Sequence, residues 1–393
     1  MTFLFILIRL ERKTYDIMKI SILTGSFYPS IHPRAFRANE LAKEFVRQGH
    51  EVTVINLKTV PDFDYAKYSE EQHFKIINLG IFAESRLAKI SAQKGTYTWW
   101  GQKKRFLIEY LLCGNLFRYG PRIAAKLNCL EGADMVIAQS TPFPCHYGFY
   151  KYIKRHGRSF VAILDSGDPF YYSKQTKRAI WFKYIERNVY RHCDFLTIPT
   201  ANAIPLYSPL ISKEKIRVIP QGFSMRNLKL YTGDFYLPVK FAYAGVFYWD
   251  IRNPEFLFRA LENLSIDYKF YIYMRYKDAR LDEVLEKYPK MREHLIINLC
   301  VPHDQLITEL SKMHFLVNVE NISNTQIPSK IIDYCMAGRP ILSCNETNFD
   351  IDKLNRFLHG NYDGRYDVDP KEYDIENVAQ RFLELYKQKN YSE

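Results

Sequence analysis

No two of the seven cysteines (Cys113, Cys129, Cys145, Cys193, Cys300, Cys335 and Cys344) form a C-x-x-C pair. An odd set so spaced argues against a disulfide framework and points to a reducing, cytoplasmic setting. The chain has no H-E-x-x-H motif and no zinc-like Cys/His cluster, which removes the usual metallohydrolase centres. The turn after Thr24 lacks G-x-G-x-x-G, which disfavours dinucleotide-dependent hydride transfer. Long apolar runs are missing too. Thr2 to Leu10 is apolar but too short to span a bilayer, and it lacks the basic lead and small-residue cleavage site of a signal peptide. Met18 directly precedes the first convincing strand, so residues 1–17 read as an upstream-start extension. Any membrane contact is expected to be peripheral.

Three D-x-D matches occur, Asp62 to Asp64, Asp350 to Asp352 and Asp367 to Asp369. None follows a strand in the setting a metal-holding pair needs, and short acidic matches arise by chance. No metal and no cofactor are expected.

What is present is an ordinary globular composition, 47% hydrophobic and 25% charged, and at 393 residues the chain suits two domains of common size. The net charge of +12 comes with 30 Tyr and 27 Phe, so an anionic partner is implied. Lys and Arg are scattered along the length with no recognised module, which argues against nucleic acid and leaves nucleotide phosphates or anionic lipid.

Apolar strands alternate with amphipathic helices. Ile20 to Thr24, a loop from Ser26 to Pro33, a helix carrying Ala38, Leu41, Ala42, Phe45 and Val46 up to Gly49, and the strand Val52 to Leu57 make a β-α-β unit. Further strands are predicted at Met135 to Ala138, Phe160 to Leu164, Phe195 to Ile198 and Arg217 to Ile219. The stretch Thr96 to Arg122 mixes Trp99, Trp100, Phe106, Tyr110, Phe117 and Tyr119 with Lys103, Lys104, Arg105, Arg118 and Arg122. Both an interfacial helical patch and a helical hairpin packed on its own domain answer that composition.

Pro220-Gln221-Gly222 marks a boundary, after which Lys240 to Ala244, Lys269 to Met274, Leu295 to Leu299 and Phe315 to Val319 read as strands of a second wound unit. The organisation expected is therefore α/β. An N-terminal Rossmann-like domain spans 18–220, a C-terminal one spans 221–372, and a terminal helix within 373–393 crosses back to the first. Ligands of such sheets sit outside the carboxyl ends of the strands, so the two domains are expected to face a central cleft.

Residues 327–340, Ile-Pro-Ser-Lys-Ile-Ile-Asp-Tyr-Cys-Met-Ala-Gly-Arg-Pro, follow a strand and open a helix whose inward face is Ile331, Ile332, Cys335 and Met336. Free N–H groups and the positive dipole end at such a start attract a diphosphate, and Lys330 adds a full charge. Asp333, three residues on, is placed to accept from a ribose hydroxyl pair. A solvated lysine and an aspartate that merely complements the helix dipole answer the same pattern.

The order of several blocks resembles the GT-B glycosyltransferases of the retaining family 4 type. They are Lys19 to Pro29 with Pro33 to Arg37, Leu41 to Ile55, Ile185 to Asp194, Lys215 to Gly222, Tyr243 to Val246 and Ile327 to Pro340. The resemblance implies transfer of a sugar from a nucleoside diphosphate sugar to a glycan, with surface-polysaccharide assembly and a lipid-linked acceptor. It also implies roles. Gly245 lets backbone approach the phosphates, although a tight turn alone also asks for glycine there. Arg252 pairs with the diphosphate. Asp333 matches the second acid of the family's E-x7-E motif and takes the ribose, and Lys330 resembles a Pro-x-Lys variant that serves phosphate. The first acid falls at Thr325, so sugar contact passes to Asn324, Thr325 or Gln326, with Pro328 and Ser329 in the donor loop.

On the acceptor side Asp168, in Asp165-Ser-Gly-Asp168-Pro, is either a polar contact near the reacting sugar or a cap before Pro169. Arg34 and Arg37, beside Gly25, are candidates for an acceptor phosphate. Solvated surface arginines are the other reading. Asp168, Lys330 and Arg252 make up the expected catalytic set, acting through electrostatics without an enzymic nucleophile. A catalytically idle binding or scaffold protein is the alternative that Thr325 leaves open.

Overall fold

The computed structural model describes residues 17–30, 32–82, 106–107, 110–111, 113, 116–140, 142–173, 177–226, 228–276, 278–299, 301–320 and 330–391. Asn324, Thr325, Gln326, Pro328 and Ser329 lie outside that set, as does most of the aromatic and basic stretch before Leu116.

The chain divides into two compact units. The first takes the described residues through Ile198, with Ser208–Arg217 and those from Phe382 onward; the second takes Pro199–Tyr207 and Val218–Arg381. Its sheet in the first unit comprises β1 (Lys19–Thr24), β2 (Glu51–Asn56), β3 (Lys75–Asn78), β4 (Met135–Ser140), β5 (Val161–Ser166), β6 (Phe195–Ile198) and β7 (Ile216–Val218), in the order β3-β2-β1-β4-β5-β6-β7. The pairings from β3 through β6 are parallel. β4 and β5 are buried at every position, as expected of a sheet covered on both faces. β3 is the strand that the sequence reading missed: Lys-Ile-Ile-Asn is a short edge strand with no fully buried residue, so it lacks an apolar signature.

Helices α1 (Pro33–Arg47), α2 (Tyr65–Gln72), α3 (Leu116–Ala124), α4 (Pro144–His156) and α5 (Trp181–Arg191) belong to this unit. In α1, Pro33 occupies the first turn and His32 caps it, while Ala35, Ala38, Leu41, Ala42 and Phe45 are all fully buried. Each large apolar side chain so buried contributes about 1.5–3 kcal/mol, which fixes the helix on the sheet.

The second sheet comprises β8 (Val239–Ala244), β9 (Tyr268–Met274), β10 (Leu295–Leu299), β11 (Phe315–Val319) and β12 (Ile341–Cys344), in the order β10-β9-β8-β11-β12, all pairings parallel. Phe241 stacks on Phe270 and on Phe315 at 4.8 Å each, which centres the core between adjacent strands. The helices here are α6 (Glu255–Glu262), α7 (Ala279–Leu285), α8 (Pro289–Glu293), α9 (His303–Ser311), α10 (Lys330–Ala337) and α11 (Ile351–Leu358). A last helix, α12 (Ile375–Tyr391), passes from the second unit to the first at Phe382.

In each sheet the chain winds outward from a central strand and then returns to that strand's other side. The reversals fall between β1 and β4 and between β8 and β11, and such switch points open a crevice at the carboxyl ends of the strands.

Candidate active site

At the switch point of the second sheet, β8 and β11 pair only through Phe241↔Phe315 and Ala242↔Leu316. Beyond that rung Tyr334, from α10, enters the gap. Its hydroxyl accepts the Ala244 N–H at 2.8 Å and donates to the Val317 carbonyl at 3.0 Å. One phenol therefore satisfies both strands where their ladder stops. Burial pushes its own ionisation well above the ordinary tyrosine range.

Gly245 follows β8 at φ +138°, a left-handed conformation that favours glycine, and its N–H is held by the Tyr273 carbonyl at 2.8 Å. Arg252 lies beside it, its guanidinium 5.7 Å from the Tyr248 ring and within hydrogen-bonding reach of the Tyr243 hydroxyl.

Lys330 begins α10, but its side chain turns inward. It is 6% exposed, donates to the Val319 carbonyl at 2.9 Å, and lies 4.4 Å from the Tyr243 ring centroid. This corrects the expectation of a lysine presented at the helix start on the same face as Asp333. The reason is local: Tyr243 and the end of β11 offer a π face and a carbonyl that replace water around the ammonium. Burial, with repulsion from Arg252, lowers its proton affinity well below the ordinary lysine value.

Asp333 points elsewhere and pairs with His303 at the start of α9, Oδ1 to Nε2, at 2.8 Å. The His303 ring in turn stacks against Phe223, with centroids 6.2 Å apart. Glu320, next after β11, accepts from Ser343 at 2.6 Å and from Asn345 and Asn348 at 3.1 Å each. The sequence reading did not mark Tyr334, His303 or Glu320. Tyr334 sits one position past the aspartate that was marked, yet nothing in its spacing signals that it spans two strands.

In the first unit, Gly25 ends β1 where an added Cβ would come within 2.2 Å of the Pro142 ring, so the close approach of these loops requires glycine. Arg37 is 2% exposed and grips Asp165 through two bonds of 2.8 and 2.9 Å. Arg34 adds a third at 3.1 Å and Thr197 a fourth at 2.7 Å. Arg37, expected to meet an acceptor phosphate, is instead a buried counter-charge, because β5 extends to Ser166 and carries Asp165 into the interior. Arg34 shares Asp165 but also bears on His32, whose basicity is lowered by burial and by Arg34, against an opposing effect of Asp168.

Asp168 is exposed just past β5, and its carbonyl accepts from Ser166 at 3.2 Å. Buried Glu186 on α5 holds the following loop: it takes N–H bonds from Phe170 at 2.9 Å and Tyr171 at 2.8 Å, and a hydroxyl bond from Tyr190 at 2.7 Å. Burial raises its pKa above the ordinary glutamate value despite those donors.

Two of the D-x-D matches cap helices: Asp64 caps α2 and Asp350 caps α11, while Asp369 caps the turn at Pro370–Tyr373. Among the described residues no three His, Cys, Asp or Glu side chains converge as metal ligands, and no helix is long and apolar enough to cross a membrane.

Residues 36–226, which include β2 to β7 but not β1, match the family model described as Glycosyltransferase Family 4. Among solved structures, a glycosyltransferase from Rickettsia africae ESF-5 is similar at TM-score 0.61 and 12% identity, covering 96% of this chain and 100% of that one. The lipopolysaccharide outer core galactosyltransferase WaaB, in its apo form, is similar at TM-score 0.59 and 14% identity, covering 95% of this chain and 100% of its own. The chain has the GT-B fold of these glycosyltransferases. Anabaena Alr3699/HepE in complex with UDP and glucose is a further structural relative, at TM-score 0.52 and 12% identity, with 95% and 99% of the two chains covered. A search of curated proteins found no sequence match to this chain.

Proposed function

We propose that this protein is a retaining glycosyltransferase that takes a sugar from a nucleoside diphosphate sugar and adds it to a lipid-linked glycan during surface-polysaccharide assembly. It works without a metal, in the cytoplasm and at a membrane surface. The second unit holds the donor and the first holds the acceptor. The observation that carries the reading is the convergence of Gly245, Arg252 and Lys330 at one switch point, where two basic side chains and a glycine turn meet at the carboxyl ends of two strands.

In this reading Arg252 and Lys330 neutralise the charge that develops on the leaving diphosphate, and Asp333 takes the ribose hydroxyls. The loop containing Asn324, Thr325, Gln326, Pro328 and Ser329 contacts the sugar. The leaving diphosphate accepts the acceptor's proton on the same face of the sugar, so no enzymic nucleophile is needed. Asp168 contacts the reacting sugar from the acceptor side, near Gly25 and Arg34.

The test is a panel of nucleotide sugars followed by thermal stabilisation, donor hydrolysis and transfer to membrane extract, with the anomeric configuration of the product read by NMR. Stabilisation with turnover and a retained configuration supports the reading. Stabilisation without turnover in any extract supports instead a catalytically idle binding or scaffold protein, the reading that Thr325 in place of an acid favours. An inverted product overturns the proposed chemistry.

A further inference from the structure

The exposed faces of three neighbouring helices in the first unit carry charge of one sign. α3 holds Arg118 and Arg122, α4 holds Lys151, Lys154 and Arg155, and α5 holds Lys183, Arg187 and Arg191. The one carboxylate among these helices is Glu186, which is 0% exposed and bonded inward to the Phe170–Tyr171 backbone. Protein surfaces ordinarily intersperse both signs, because unmixed charge repels itself.

A band of exposed apolar rings accompanies the cations. Phe117 is 44% exposed, Trp181 42% and Tyr184 61%. Phe117 and Trp181 both lie about 6 Å from the Phe182 ring, which places them in one patch. Along α5, Trp181, Tyr184, Arg187 and Arg191 recur at helical spacing on one stripe, rings at the start and cations toward the end. A groove of about 600 Å³ joins the three helices, lined by Pro121 and Ala125, by Tyr150, Lys151 and Arg155, and by Asn188. The sequence reading looked for an interfacial patch in Thr96 to Arg122 and assigned neither α4 nor α5 to one.

We propose that this three-helix face is where the enzyme lies against an anionic bilayer. Aromatic rings of this kind settle at the headgroup boundary, and lysine and arginine pair with lipid phosphates below. The proposal rests on the lipid-linked reading of the acceptor for its purpose: a face so docked keeps the acceptor-binding unit at the surface that carries its substrate.

The experiment is flotation of the full chain with vesicles of phosphatidylcholine, alone or mixed with phosphatidylglycerol. Binding is expected only to the mixed vesicles and is expected to fall with added salt. The triple variant Lys151→Gln, Lys154→Gln, Arg155→Gln is expected to lose roughly a hundredfold in partitioning, since each basic side chain near such a surface counts for about fivefold. Trp181→Ser with Tyr184→Ser is expected to weaken binding while leaving its salt dependence in place. Unchanged near-UV circular dichroism shows that both variants keep the fold. Equal binding to neutral vesicles, undiminished binding of the triple variant, or binding to a soluble anionic glycan without any binding to vesicles would each overturn the proposal. Donor hydrolysis without membranes is measured alongside and is expected to be unchanged in the triple variant. If no protein hydrolyses any donor, the reading of the donor site fails while the vesicle result stands on its own.

Discussion

His303 donates from Nε2 to Oδ1 of Asp333 across 2.8 Å, because an ionised carboxylate can only accept. That bond fixes one carboxylate oxygen and leaves the other to meet a ligand. If Asp333 takes the ribose, Asp333→Ala raises the donor KM roughly ten- to a hundredfold, the worth of one charged hydrogen bond. His303→Ala acts through Asp333 and raises the donor KM by a smaller factor with kcat held, while His303→Gln, which keeps a donor, recovers most of the loss. Initial rates at varied donor decide this, and an unchanged KM in Asp333→Ala removes that residue from the ribose.

Asp165 is surrounded by Arg37, Arg34 and Thr197. Burial alone raises its pKa, but the two guanidinium groups and the hydroxyl outweigh that and hold it below the ordinary carboxylate range. A carboxylate so depressed stabilises the fold above its ordinary range, and this contribution is lost as pH falls through the lowered value. Asp165→Asn strands a buried arginine and is expected to cost about 3–5 kcal/mol in urea unfolding, with a weaker dependence on acid.

His146 is buried with Nε2 at 2.8 Å from the Ala138 carbonyl, and burial pushes its basicity down to about 4 from an ordinary 6.5. The sign is the same as for Asp165, because the folded chain again holds the proton less tightly than the unfolded one. The unfolded chain takes up a proton that the native one refuses, so stability falls as pH drops from 6.5 toward 4, by about 3 kcal/mol in all. Chemical denaturation across that window, in the parent and in His146→Gln, is expected to show a shallower acid loss in the variant.

Lys330→Met removes a buried amine. Because the folded chain resists protonating Lys330, native stability rises with pH toward the ordinary lysine value, and the variant is expected to flatten that rise in melts at graded alkaline pH. Turnover of the donor is expected to fall roughly ten- to a hundredfold if the ammonium serves the diphosphate. Unchanged turnover removes Lys330 from the chemistry.

The wound architecture was legible because β1, β4, β5, β8 and β11 are apolar runs bounded by helices of regular period. Period alone does not register a strand such as β3, which has nothing to bury. The switch-point glycine at Gly245 and the basic residue near it were readable from their order along the chain. Which way a side chain turns was not. Lys330 and Arg37 were read as presented charges, and both are buried, because the groups that receive them, Val319 with Tyr243 and Asp165, come from other strands. Long-range partners of this kind leave no mark at fixed sequence spacing.

Tyr334 acts as a wedge: its hydroxyl answers the Ala244 amide at the end of β8 and the Val317 carbonyl within β11, so the two strands part beyond their last shared rung. The same helix begins with Lys330, one turn away, so the parting of the strands and the position of the amine are geared to a single rod. Shaving the phenol to Phe would leave an amide and a carbonyl unanswered and loosen both at once.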